Sequence, residues 1–166
     1  PKKLMGVSHQ AFGICLAAIA VNAGYLDMSM WFALPLASAG SLFPDVDSHH
    51  SKLGRRIYPV SALINQLVGH RTFFHSLIAW GLTTAGFYYL NTLWPDLPQQ
   101  LWAALSLGHL SHLVGDMAFG GGVQLFWPYK RRIKVIPSRW SVGGLHEFAF
   151  LCIFLATTAF ATGFHL

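Results

Sequence analysis

Imidazoles and carboxylates sit in this chain where they could gather around a metal ion. His9, Asp45, Asp47, His70, His75, His109, His112, Asp116, His146 and Glu147 all lie near boundaries between apolar runs and basic loops. A polar group in or beside a bilayer is costly, so its default reading is functional. The sharpest pattern is Gly108-His109-Leu110-Ser111-His112-Leu113-Val114-Gly115-Asp116. On a helix His112 and Asp116, four apart, share a face. That pair could chelate one metal, or the carboxylate could orient the imidazole from behind; a His–Asp contact that only joins helices is the bland alternative. His109 lies one turn earlier on the same stripe, and its role stays open.

Two further motifs converge on the same chemistry. In Phe43-Pro44-Asp45-Val46-Asp47 the proline stops a helix and two carboxylates follow. Carboxylates at a helix C-terminus oppose the macrodipole, which favours a ligand role over a solvated turn. In Gly69-His70-Arg71-Thr72-Phe73-Phe74-His75-Ser76 the histidines are five apart, about 500° around a helix. His75 is therefore the better ligand, and His70 is a ligand or its neighbour. Arg71 suits a phosphate or simply sets topology. His9 joins the set through its place at the same boundary, whereas His49 and His50 read as solvated loop residues. His146 and Glu147 are adjacent, so only one of them could face a common centre.

These residues need helices to position them. Hydrophobic residues make up 54% of the 166 and charged residues 10%, against roughly 25% charged in an ordinary soluble domain. That deficit points to an all-α polytopic membrane protein of a single domain, residues 1–166. Five membrane helices are expected, at 8–26, 28–43, 72–90, 99–117 and 145–166, with a short interfacial or re-entrant helix over 58–69. All eleven Lys and Arg fall in alternate loops, which places the N-terminus in the cytoplasm and the C-terminus outside. The formal charge of +5 comes from these loop clusters, so no nucleic-acid partner is expected. Phe126-Trp127-Pro128-Tyr129 before Lys130-Arg131-Arg132 reads as an aromatic belt with a basic patch. Cys15 and Cys152 read as packing residues.

Taken in order, His9, the Leu-Phe-Pro-Asp45-Val-Asp47 element, Ser51-Lys-Leu-Gly-Arg-Arg56, Gly69-His70-Arg71 with His75-Ser76-Leu77, Ser111-His112 with Asp116, and Phe126-Trp127-Pro128 resemble the YdjM-like family of inner-membrane metal-dependent hydrolases. Family members often carry His after the second Asp, where this chain has Ser48. The resemblance implies a bacterial inner membrane and a hydrolase activity.

The residues themselves give a ligand set of His9, Asp45, Asp47, His75, His112 and Asp116. Imidazole disfavours Mg²⁺ and Ca²⁺ and favours a divalent transition metal, Zn²⁺ first, then Mn²⁺ or Fe²⁺. Six donors exceed one tetrahedral shell, so one or two ions are expected. His70, or an Asp not bound to metal, would serve as base, and Arg71 with the nearby basic loops would hold a phosphate. Membrane lipids are the expected partners, and a lipid phosphoester the expected substrate. A cation or proton-coupled transporter and a membrane protein stapled by a structural metal are the alternatives.

Overall fold

A computed structural model describes residues 6–48, 55–56, 58–59, 62–63, 66, 72–119, 121–135, 145–161 and 163. Five helices are bounded among them: α1 (Gly6–Asn22), α2 (Met30–Leu42), α3 (Leu77–Leu93), α4 (Leu101–Ala118) and α5 (Leu145–Ala161). A 3₁₀ turn, Phe43–Asp47, continues α2. The apolar runs thus become helices where the composition placed them. The described residues between 55 and 66 are also helical.

The expectation of membrane-crossing helices is overturned. Among the described residues no helix is long and apolar enough to cross a membrane. The reason lies at the helix ends. At 17 residues each, α1, α3 and α5 are about 26 Å long, short of a hydrocarbon core of about 30 Å. Residues that swelled the apolar runs belong instead to turns. Tyr25 and Leu26 lie past the end of α1, and the segment from Thr72 to Ser76 precedes α3. Ser76 caps α3, its hydroxyl accepting from Ala79 N–H at 3.2 Å, so His75 stands in the turn before the helix. Helix α2 has only 13 residues because Pro44 cannot continue it. Helix α4 reaches 18 residues but carries Ser106, His109, Ser111, His112 and Asp116 buried along it. The orientation read from alternating basic loops presupposes those spans.

The packing places small and polar residues inside and large apolar ones outside. Ala17, Ala33 and Ala37 form the core where α1, α2 and α4 meet, flanked by Val21, Met28, Leu34 and Leu107. Gly40 and Gly108 set the α2–α4 distance. A Cβ on Gly40 would lie 2.1 Å from the Leu105 carbonyl oxygen, and one on Gly108 would lie 2.1 Å from that of Ala37. Neither position has room for a methyl group. Helix α5 meets α1 edge-to-face through Phe154 and Phe12, at 4.6 Å.

Helix α3 packs on α4 through polar contacts. Trp80 Nε1 donates to the Ser106 carbonyl at 3.1 Å, and the Thr84 and Ser106 hydroxyls lie 2.7 Å apart. Its outer face leaves Ile78, Leu82, Tyr89 and Leu93 exposed, and Trp31 on α2 is 89% exposed. Cys15 is buried as expected, but Cys152 is exposed.

Candidate metal centre

The cluster begins with the way α2 ends. A 3₁₀ register pairs each carbonyl with the N–H three residues on. Three residues after Ser41 stands Pro44, which has no N–H. The Ser41 carbonyl is taken by His112 Nδ1, at 2.6 Å. A carbonyl only accepts, so Nδ1 carries the proton and Nε2 turns its lone pair the other way. With three residues per turn, Asp45 and Asp47 leave the 3₁₀ turn in different directions. Asp47 is fully buried and Asp45 half-buried.

Opposite His112 stands His75. Its Nδ1 faces Asp47 Oδ2 at 3.6 Å, and its Nε2 meets His112 Nε2 at 3.2 Å. Asp116, one turn after His112, sets Oδ2 at 3.6 Å from His75 Nε2 and 3.7 Å from His112 Nε2. His9 of α1 stacks on the His112 ring, centroids 3.7 Å apart, and places Nε2 3.7 Å from Asp116 Oδ1. The side chains of His9, Asp47, His75, His112 and Asp116 are all buried. Five of the six residues of the expected ligand set therefore come together, as two overlapping triplets: His9, His112 and Asp116, and Asp45, His75 and His112; the sixth, Asp47, stands behind His75.

This donor set suits a cation. Each of two rings has an outer nitrogen facing an acceptor, Ser41 for His112 and Asp47 for His75. With the outer nitrogens protonated, two lone pairs and a carboxylate oxygen converge. Their separations of 3.2, 3.6 and 3.7 Å bracket the roughly 3.4 Å edge of a tetrahedron with metal–ligand bonds near 2.1 Å. Since Nδ1 of His112 is committed to Ser41, that ring offers one nitrogen and serves one ion. Any second ion would share Asp116. Asp47, touching the far nitrogen of His75, is placed to hold that ring as an orienting carboxylate does.

The electrostatics divide the histidines. Burial drives the His75 imidazole below its ordinary range, against the pull of Asp47. Burial acts on His112 in the same sense, but pairing with Asp116, the charge of Asp45 and the Ser41 carbonyl carry it above that range.

His109 does other work. Its Nε2 donates to the Phe74 carbonyl at 3.2 Å and its Nδ1 lies 3.0 Å from the Thr83 hydroxyl, so the two nitrogens tie α4 to the turn before α3 and to α3 itself. Burial pushes it down to about 4. An unfolded histidine titrates near 6.5, so the unfolded chain holds more protons between those values. The stability His109 contributes is complete above about pH 6.5 and is lost as pH falls toward 4. The loss should approach about 3 kcal/mol, read by chemical denaturation at pH 7 and 4.5, and the slope should flatten in His109→Asn.

His49, His50, His70, Arg71 and the side chains of His146 and Glu147 lie outside the described residues. Residue types alone did not point to the Ser41 carbonyl. Pro44 three residues later was the available signal.

Residues 4–165 match the family described as YdjM inner membrane protein. The inner membrane protein YdjM of Escherichia coli strain K12 is 34% identical over 131 residues, covering 76% of this chain and 67% of that protein. Its counterpart from Shigella flexneri gives the same figures. The uncharacterized protein YvsG of Bacillus subtilis strain 168 is 29% identical over 144 residues, 87% of this chain and 85% of its own length. No solved structure matches the chain.

Proposed function

The chain belongs to the YdjM family of inner membrane proteins, and from that premise we propose that it is a metal-dependent hydrolase acting on a phosphoester or lipid head group. The observation that carries this reading is the meeting of His75 Nε2, His112 Nε2 and Asp116 Oδ2 within 3.7 Å of one another. Two imidazoles and one carboxylate make the donor set of a catalytic zinc site. His75, His112 and Asp116 would hold the ion, with His9 and Asp45 beside them. Asp47 and the Ser41 carbonyl would orient the two rings. A divalent ion there supplies a Lewis acid and an acidified water at neutral pH.

The chain's own groups do the remaining work. Asp45 is the half-buried carboxylate of the cluster, and so the one placed to exchange protons with solvent. His70 and Arg71, outside the described residues, are proposed as base and phosphate-binding group. The small, polar interior and apolar exterior support a membrane location, since lipid gives large apolar side chains no reason to turn inward. A second reading, a metal that only staples helices, draws support from the burial of five of the six side chains, because structural zinc sites are closed.

The test is metal content by plasma mass spectrometry on detergent-purified protein, beside Asp47→Ala/His112→Ala. One or two equivalents of a transition metal, lost in the double variant, are expected. No metal in either protein after incubation with Zn²⁺ or Mn²⁺ would remove both metal readings. With metal bound, release of phosphate from phospholipid or phosphoester substrates separates hydrolase from staple.

A further inference from the structure

The segment after α4 plays no part in the metal cluster's donor set, yet it is tightly built. Val123 and Ile133 exchange backbone hydrogen bonds of 3.1 and 2.9 Å, and Val135 N–H donates to the Met117 carbonyl at 2.9 Å. Gly122, at φ 78°, lets the chain pass beside Ile133. The Leu125 carbonyl accepts from Leu77 N–H at 2.9 Å, and Trp127 packs edge-to-face on Phe73 at 5.2 Å. These ties fix the inner side of the loop against the start of α3.

The outer side is left open and carries one sign of charge. Phe126, Tyr129, Arg131, Arg132, Ile133 and Lys134 line an open groove of about 420 Å³. Lys130, Arg131, Arg132 and Lys134 are all exposed, and Val135 is 71% exposed. No acidic residue occurs between Asp116 and Glu147, so the cations face no internal competitor in sequence. Exposed Phe126 and Tyr129 beside the cations would be unfavourable on a face that meets only water. Together they suit the boundary of a bilayer, where aromatic rings sit at head-group level and cations meet lipid phosphates.

The structure assigns this loop as a docking surface for anionic phospholipid: the guanidinium and ammonium groups of Arg131, Arg132 and Lys134 hold the head-group phosphate while Phe126 and Tyr129 enter the head-group layer. The assignment does not depend on the metal. It also gives the chain a contact with its membrane that needs no crossing helix.

The experiment is native mass spectrometry of the full chain in detergent, titrated with phosphatidylglycerol or phosphatidylcholine. Each basic side chain near an anionic surface contributes about fivefold in binding. Arg131→Gln/Arg132→Gln/Lys134→Gln should therefore lose roughly a hundredfold in phosphatidylglycerol affinity and fall to the phosphatidylcholine level. Arg131→Lys/Arg132→Lys should keep most of it, and 0.5 M salt, on the order of a few ångströms of screening, should weaken it. Equal retention of both lipids by the native chain would overturn the proposal, as would a neutralised loop that still prefers the anionic one. Displacement by millimolar inorganic phosphate would assign the groove to free phosphate instead. Tighter binding of a single-stranded oligonucleotide than of phosphatidylglycerol would assign it to nucleic acid.

Discussion

Gly108→Ala should destabilise the protein by about 3 kcal/mol or more, at the upper end of what overpacking costs, and should loosen the metal cluster with it. The added methyl would lie 2.1 Å from the Ala37 carbonyl oxygen, 2.8 Å from Ser41 N and 2.9 Å from Ala37 C. All three are backbone atoms of α2, so no side chain can swing aside, and the two helices must separate. Ser41, whose amide is struck, is also the residue whose carbonyl holds His112 at 2.6 Å. The variant is therefore expected to lose both melting temperature and metal, although it touches no donor atom. Gly86→Ala is the control. Gly86 lies in α3 with nothing within 4 Å of its notional Cβ, and helix propensity alone should raise stability by about 1 kcal/mol. Thermal unfolding in detergent, with metal content on the same samples, separates the two. Equal behaviour of the two variants would refute the close-packed α2–α4 contact.

Asp116→Asn should abolish metal retention while filling the same space. Asp116 is the carboxylate shared by three histidines, with Oδ1 toward His9 and Oδ2 toward His75 and His112. Its removal also leaves the raised His112 without its main partner. Breaking a buried pair on one side costs about 3–5 kcal/mol, so the metal-free variant should be less stable than the metal-free native chain. The more discriminating readout is linkage. A ligand at a thousand times its Kd stabilises by about 4 kcal/mol. Added Zn²⁺ should thus raise the native melting temperature and a chelator should lower it, and Asp116→Asn should respond to neither. A variant that kept a full complement of metal would move the centre away from Asp116.

Much of this arrangement was legible in the sequence because it depends on local periodicity. The i, i+4 spacing of His112 and Asp116 on an apolar run forces a shared face, and Pro44 forces an end to α2. What was not legible depends on helix ends and on backbone groups. An apolar run does not say where a cap falls: Thr72 to Ser76 read as helix but form the turn that sets His75 free of α3, and misreadings of this kind made the helices look long enough to span. His109 carries the same side chain as His112 on the same stripe, and only the presence of Thr83 and the Phe74 carbonyl across from it separates their roles. Asp45 and Asp47 read as equivalent, yet the 3₁₀ register gives them different burial.

The small interior of this fold also bears on how such a chain can change over time. In a water-facing domain the large buried side chains are the fixed points and the surface drifts. Here Leu82 and Tyr89 stand on the outside of α3, where one large apolar residue can replace another without meeting a neighbour. The fixed points are Gly40 and Gly108, the thinnest residues in the chain, where even a methyl group does not fit. Descent would then be recorded in what is missing from the side chains at the α2–α4 contact, while the bulk of the hydrophobic composition is free to wander.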